Sequence, residues 1–127
     1  MRNIITEIHE KVILFKFNRP EALNSLNNEM VSELCLLLKE SDKNDNVACV
    51  VLTGNEKSFA GNQKKVKKLK ILAGADIEEM SNMSYSDCLL SNHLALWTSV
   101  SKFRKPLIAA VNGYAVKIKL MINICYF

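Results

Sequence analysis

Two apolar runs limit what this chain can fold into. Val47-Ala48-Cys49-Val50-Val51-Leu52-Thr53 is an uninterrupted β-favouring stretch closed by Gly54, and Leu107-Ile108-Ala109-Ala110-Val111 is a second, closed by Asn112-Gly113. Runs without polar alternation fit strands covered on both faces, as in a parallel sheet under helices. The Val47 strand is expected to be central.

The segments between them read as helices. From Asn28 to about Asp42, Met30, Val31, Leu34, Leu37 and Leu38 recur at helical spacing, and Asn27 or Asn28 can cap the free NH groups. Asp76 can open a short helical turn through Met80. Ser84 with Asp87 three residues on forms a capping pattern for a second helix, whose apolar stripe runs through Cys88, Leu89, Leu96, Trp97, Val100 and Phe103. Pro106 stops it. Upstream, Val12-Ile13-Leu14-Phe15-Lys16-Phe17 is a strand ending at the turn-forming Asn18-Arg19-Pro20. The order strand, helix, strand, helix, strand implies crossover connections and a largely parallel sheet, an α/β fold.

The 127 residues, 49% of them hydrophobic, suffice for one small domain with one core. No apolar run approaches the ~20 residues a bilayer span needs, and no signal core or transit peptide is visible, so a soluble chain is expected. Cys35, Cys49, Cys88 and Cys125 lack metal-ligand spacing, and neither His9 nor His93 clusters with them; reduced thiols are the expectation. The net charge of +4 is local, because residues 61–72 hold five lysines and no acid and leave the remainder at −1. Such a run could attract phosphate, yet it has no interleaved aromatics, so nucleic acid is not the expected partner.

That lysine run splits a motif. Ser58-Phe59-Ala60 joined directly to Ala73-Gly74-Ala75-Asp76-Ile77 gives a continuous segment, and Lys105-Pro106-Leu107-Ile108-Ala109-Ala110-Val111-Asn112-Gly113-Tyr114-Ala115 follows it downstream. Together with Asn18-Arg19-Pro20-Glu21-Ala22-Leu23-Asn24-Ser25-Leu26, these segments resemble the N-terminal half of the enoyl-CoA hydratase/isomerase (crotonase) family, over residues 4–60 and 73–115. Met83-Ser84-Tyr85-Ser86-Asp87-Cys88, with Trp97 beyond it, resembles the mitochondrial short-chain hydratase branch.

The resemblance implies a truncated crotonase (ClpP-like) fold of repeated ββα and βα turns. It implies an acyl-CoA thioester as partner and water addition to 2-trans-enoyl-CoA in fatty-acid β-oxidation, with no cofactor beyond the CoA of the substrate. By the same resemblance the NH of Ala75 is one donor of an oxyanion hole, Ala22 and Leu23 lie along CoA, and Ala73, Gly74, Asp76, Ile77 and Glu78 continue the ligand strip. Asp76 could equally be a helix cap, Gly74 a simple turn residue, and Trp97 core. The family's second donor, a glycine in a Gly-rich turn, aligns with Ile118, whose β-branch disfavours that backbone. The two proton-exchanging glutamates fall beyond the matching region. Glu21 and Glu78 stand where close relatives carry lysine, and carboxylates there would repel a CoA phosphate.

The expectation is therefore an inactive fragment, residues 1–115, carrying a lysine-rich insertion (61–72) and a non-family tail (116–127). Both extra segments use residue types that A/T-rich codons supply, and both junctions are compatible with splice donors, as translated intron would be. A lineage-specific loop is the competing reading. Alternatives for function are a catalytically dead CoA-binding or oligomer-interaction remnant, and RNA binding through the basic insertion. The family's homo-hexamers are not expected of this chain, whose Val47 and Leu107 strands would leave apolar faces and edges prone to aggregation. The resemblance implies the mitochondrial matrix; without a visible transit peptide, the cytoplasm stays open.

Overall fold

The computed structural model describes residues 3–22, 24–55, 58–60, 81–90, 98–112, 114–115 and 125–126. Strands β1 (Ile4–His9) and β2 (Val12–Phe17) form an antiparallel hairpin with His9 opposite Val12. The two-residue turn puts Glu10 at φ 54°, the positive φ that tight hairpin turns demand and that asparagine or glycine usually supplies. With neither residue there, β1 was not among the expected strands.

A short 3-10 turn (Pro20–Ala22) leads to helix α1 (Asn28–Lys43). Asn27 is its cap: extended at φ −95° and ψ 169°, it accepts a hydrogen bond from the Met30 NH at 2.9 Å through Oδ1. Strand β3 (Cys49–Thr53) follows, then β4 (Ser58–Ala60), α2 (Tyr85–Leu90), a helical stretch at 98–102, β5 (Leu107–Ala110), β6 (Tyr114–Ala115) and β7 (Cys125–Tyr126).

The main sheet runs β1-β2-β3-β5-β7, with β2, β3, β5 and β7 mutually parallel. The expected strands therefore pair as foreseen, with β3 in the middle. Its burial departs from expectation: Val50 and Leu52 are fully buried, whereas Cys49, Val51 and Thr53 on the opposite face are only half-buried. The run is apolar on both faces, but among the described residues only one face is completely covered. Burial of the Cys49 region pushes its thiol pKa up.

The covered face carries the core. Ile13, Phe15 and Phe17 of β2, Val50 and Leu52 of β3 and Ala109 of β5 pack with Met30, Val31, Leu34 and Leu38 of α1. Each large side chain so buried contributes roughly 1.5–3 kcal/mol. Val100 and Phe103 of the expected second stripe pack against this cluster. Ser84 caps α2 as the sequence suggested: its Oγ accepts from the Asp87 NH at 3.2 Å, and Asp87 Oδ2 accepts from the Ser84 NH at 3.0 Å. The tail supplies β7, whose Cys125 and Tyr126 pair with Ile108 and Ala109. The β5 edge expected to be bare thus has a neighbour along those two positions.

Candidate functional site

Because β2, β3 and β5 are parallel, their carboxyl ends lie at one side of the sheet, where open α/β folds gather ligands. Three connections leave there: 18–27 after β2, Gly54 and Asn55 after β3, and Val111 and Asn112 after β5. The Thr53 hydroxyl donates to the Ala110 carbonyl at 3.1 Å, tying the ends of β3 and β5 together.

Beyond those ends, β4 and β6 form a separate parallel ribbon, with Ser58 opposite Tyr114, Ala60 opposite Ala115 and a register irregularity between. Two motif segments more than fifty residues apart in the chain are thereby side by side. In sequence, β4 is followed by residues 61–72 and then 73–78, and β6 by 116–118. Sequence reasoning missed this ribbon, because elements of two or three residues are too short to show a period.

The connection after β2 is a closed loop. The Arg19 carbonyl accepts from the NH groups of Ala22 at 3.2 Å and Asn24 at 2.8 Å, and the Arg19 NH donates to Asn24 Oδ1 at 2.7 Å. Arg19 Nη1 donates to the Ser25 carbonyl at 3.2 Å and to Ser25 Oγ at 3.1 Å. Asn24 holds φ 58°, a left-handed conformation that asparagine tolerates better than most residues. Asn24 and Ser25 are 0% and 1% exposed, whereas Pro20 and Glu21 are exposed and Ala22 is half-buried. The loop has a buried base and an open tip. Arg19 Nε lies 3.7 Å from Glu21 Oε1, an exposed pair of small energetic weight.

Of the residues singled out from sequence, Ala22 is in the 3-10 turn at this tip, on the carboxyl-end side of the sheet. Leu23, Ala73, Gly74, Ala75, Asp76, Ile77 and Glu78 lie outside the described residues, as do the 61–72 run, His93, Trp97 and Ile118. His9 is an exposed side chain 3.4 Å from Glu7 Oε2, in keeping with a solvated structural role. Among the described residues no group of three His, Cys, Asp or Glu could hold a metal, and no helix is long and apolar enough to cross a membrane.

A cleft of about 290 Å³ lies elsewhere, lined by Leu38, Lys39, Asp42, Thr98, Ser99, Lys102 and Phe103. It sits where α1 ends and where the chain enters β5, the side opposite the ribbon. It is the seam between two packed helical segments and gathers none of the motif residues.

The sequence profile of the enoyl-CoA hydratase/isomerase family matches residues 7–118. Among curated relatives, a mitochondrial enoyl-CoA hydratase of Pongo abelii is 40% identical over 117 residues, covering 89% of this chain and 36% of that protein. A probable enoyl-CoA hydratase of Rhizobium meliloti is 40% identical over 113 residues, covering 89% of this chain and 39% of its own length. Among solved structures, an enoyl-CoA hydratase of Bacillus anthracis superposes with a TM-score of 0.73 at 27% identity, covering 88% of this chain and 40% of its own. An enoyl-CoA hydratase subunit of Geobacillus kaustophilus gives 0.70 at 32% identity, covering 88% and 39%. The chain thus spans 36–39% of the length of these two curated relatives.

Proposed function

The chain belongs to the enoyl-CoA hydratase/isomerase family, and from that premise we propose that it carries the first half of an acyl-CoA thioester site, able to hold the thioester but not to hydrate it. The observation that supports this reading is the β4–β6 ribbon, which pairs the Ser58-Phe59-Ala60 motif segment with Tyr114-Ala115 of the downstream motif segment. Water addition to an α,β-unsaturated thioester builds negative charge on the thioester oxygen, and each fixed donor aimed at that oxygen is worth ~3 kcal/mol.

In this reading the Ala75 NH is the first donor, Ala73, Gly74, Asp76, Ile77 and Glu78 line the ester, and Ala22 and Leu23 follow the CoA. The second donor would fall at Ile118, where a β-branched side chain opposes the turn a glycine would make. Residues 116–127 contain no glutamate, so the proton exchange with water has no carboxylate in that stretch. The reading invokes no metal or redox cofactor. The mitochondrial matrix is the proposed compartment, consistent with mitochondrial relatives, although bacterial relatives match as well. Residues 61–72 and 116–127 are proposed to be translated intron, which transcript sequencing across both junctions tests.

The function itself is tested by adding crotonyl-CoA to the purified 127-residue chain. Binding without loss of the enoyl absorbance is the expected result. Hydration would overturn the proposed inactivity, and absence of any CoA or crotonyl-CoA binding would overturn the thioester platform.

A further inference from the structure

We infer that Asn24 is a positioning residue for the CoA moiety, acting through the shape of the 19–25 loop; the inference rests on the thioester reading above. Asn24 is wholly buried, its backbone is left-handed, and both its NH and its Oδ1 engage the backbone of Arg19. Arg19 in turn returns its guanidinium to Ser25, so the two ends of the loop are locked to each other at four points.

A buried polar side chain bonded to the backbone of its own loop restrains the open tip, Pro20 to Ala22. A ligand lying along that tip then finds the backbone already ordered and loses less entropy on binding. Only asparagine and aspartate combine tolerance of the left-handed backbone with a side-chain acceptor at this reach. Glycine accepts the backbone angle but lacks the acceptor, and alanine lacks the acceptor while disfavouring the angle.

The test is calorimetric titration of the full chain with coenzyme A, run beside thermal unfolding. Asn24→Ala is expected to weaken CoA binding about tenfold at a temperature where the variant is still folded, and Asn24→Gly about fivefold. Asp42→Asn, at the opposite end of the sheet, is expected to lower Tm without changing CoA affinity. Wild-type affinity in Asn24→Ala would overturn the inference. So would an affinity loss in Asp42→Asn equal to that of Asn24→Ala at matched Tm, because the effect would then be general stability. Should Asn24→Ala fail to fold, Asn24→Gly decides by the same comparison, and unchanged affinity there overturns the inference. Failure of the wild-type chain to bind CoA sinks the thioester reading and this inference together, whereas wild-type binding that ignores position 24 sinks the inference alone.

Discussion

Arg104 grips Asp42 twice, its backbone NH donating to Oδ1 at 3.0 Å and its Nε to Oδ2 at 3.1 Å, across 62 residues of sequence. Lys105 Nζ adds donations to the carbonyls of Ser41, at 2.8 Å, and Asn44. Lys105 thus satisfies carbonyls at the end of α1, where unpaired carbonyls and the helix dipole favour positive charge, while Arg104 pairs with the Asp42 carboxylate, and together they fix the point at which β5 begins.

The Arg104 NH, helped by its guanidinium and by Lys105 against some desolvation, holds the Asp42 carboxyl below its ordinary 3.8. A carboxylate depressed in the folded state stabilises above its unfolded pKa, and that contribution disappears as pH falls through the folded value. Asp42→Asn should therefore lower the urea midpoint at neutral pH, with the difference from wild type shrinking on acidification below about pH 4. A difference constant from neutral to acid pH would contradict the assignment.

The Ser84–Asp87 box makes a local prediction. Ser84→Ala removes the acceptor for the Asp87 NH and one of the hydrogen bonds that lower the Asp87 pKa. Amide exchange at Asp87 should quicken about fivefold, the usual scale for loss of a serine cap. Exchange at the core amide of Leu52 should scarcely change.

Glu10 occupies a positive-φ position that penalises every side chain with a β-carbon. Glu10→Gly is expected to stabilise the chain by about 1 kcal/mol, with the higher entropy of unfolded glycine subtracting part of the gain. A rise in Tm by calorimetry checks it, and a fall would mean that the glutamate side chain supports the hairpin.

Glu21 stands exposed at the loop tip, 70% accessible and only loosely paired with Arg19. If the tip lies along CoA, Glu21→Lys replaces repulsion of phosphate by attraction, and CoA affinity should rise several-fold at low ionic strength. The gain should fade at about 1 M salt, where the screening length falls to roughly 3 Å. A salt-independent gain would point to packing instead.

Much of the scaffold was legible in the residues. The stripe Met30-Val31-Leu34-Leu38 declared α1 and its buried face, because a long helix repeats its period often enough to be read, and the uninterrupted apolar runs closed by Gly54 and by Asn112-Gly113 declared β3 and β5. Ile4 to His9 is equally β-favouring, yet its turn is Glu10-Lys11, chemistry that does not announce a hairpin. The half-covered face of β3 was illegible for a different reason: an apolar side chain states a preference for burial, and whether anything arrives to cover it is decided elsewhere in the chain. At the site, resemblance marked the motif segments, but their meeting at Ser58 and Tyr114 is a tertiary fact that neither segment encodes alone. The Asn24 lock was missed because a lone asparagine beside a turn is ordinary in sequence and informative only once its φ and partners are known.

The pairing of Ser58 with Tyr114 and of Ala60 with Ala115 places a demand on alignment as well as on composition. A one-residue slip would turn each side chain of one strand to the other face and shift by about 3.3 Å the takeoff points of the two segments that continue from it. The relative placement of the two segments that continue from the ribbon is therefore set by the register of a pairing only a few residues long, and a mutation that slides one strand along its neighbour would change it.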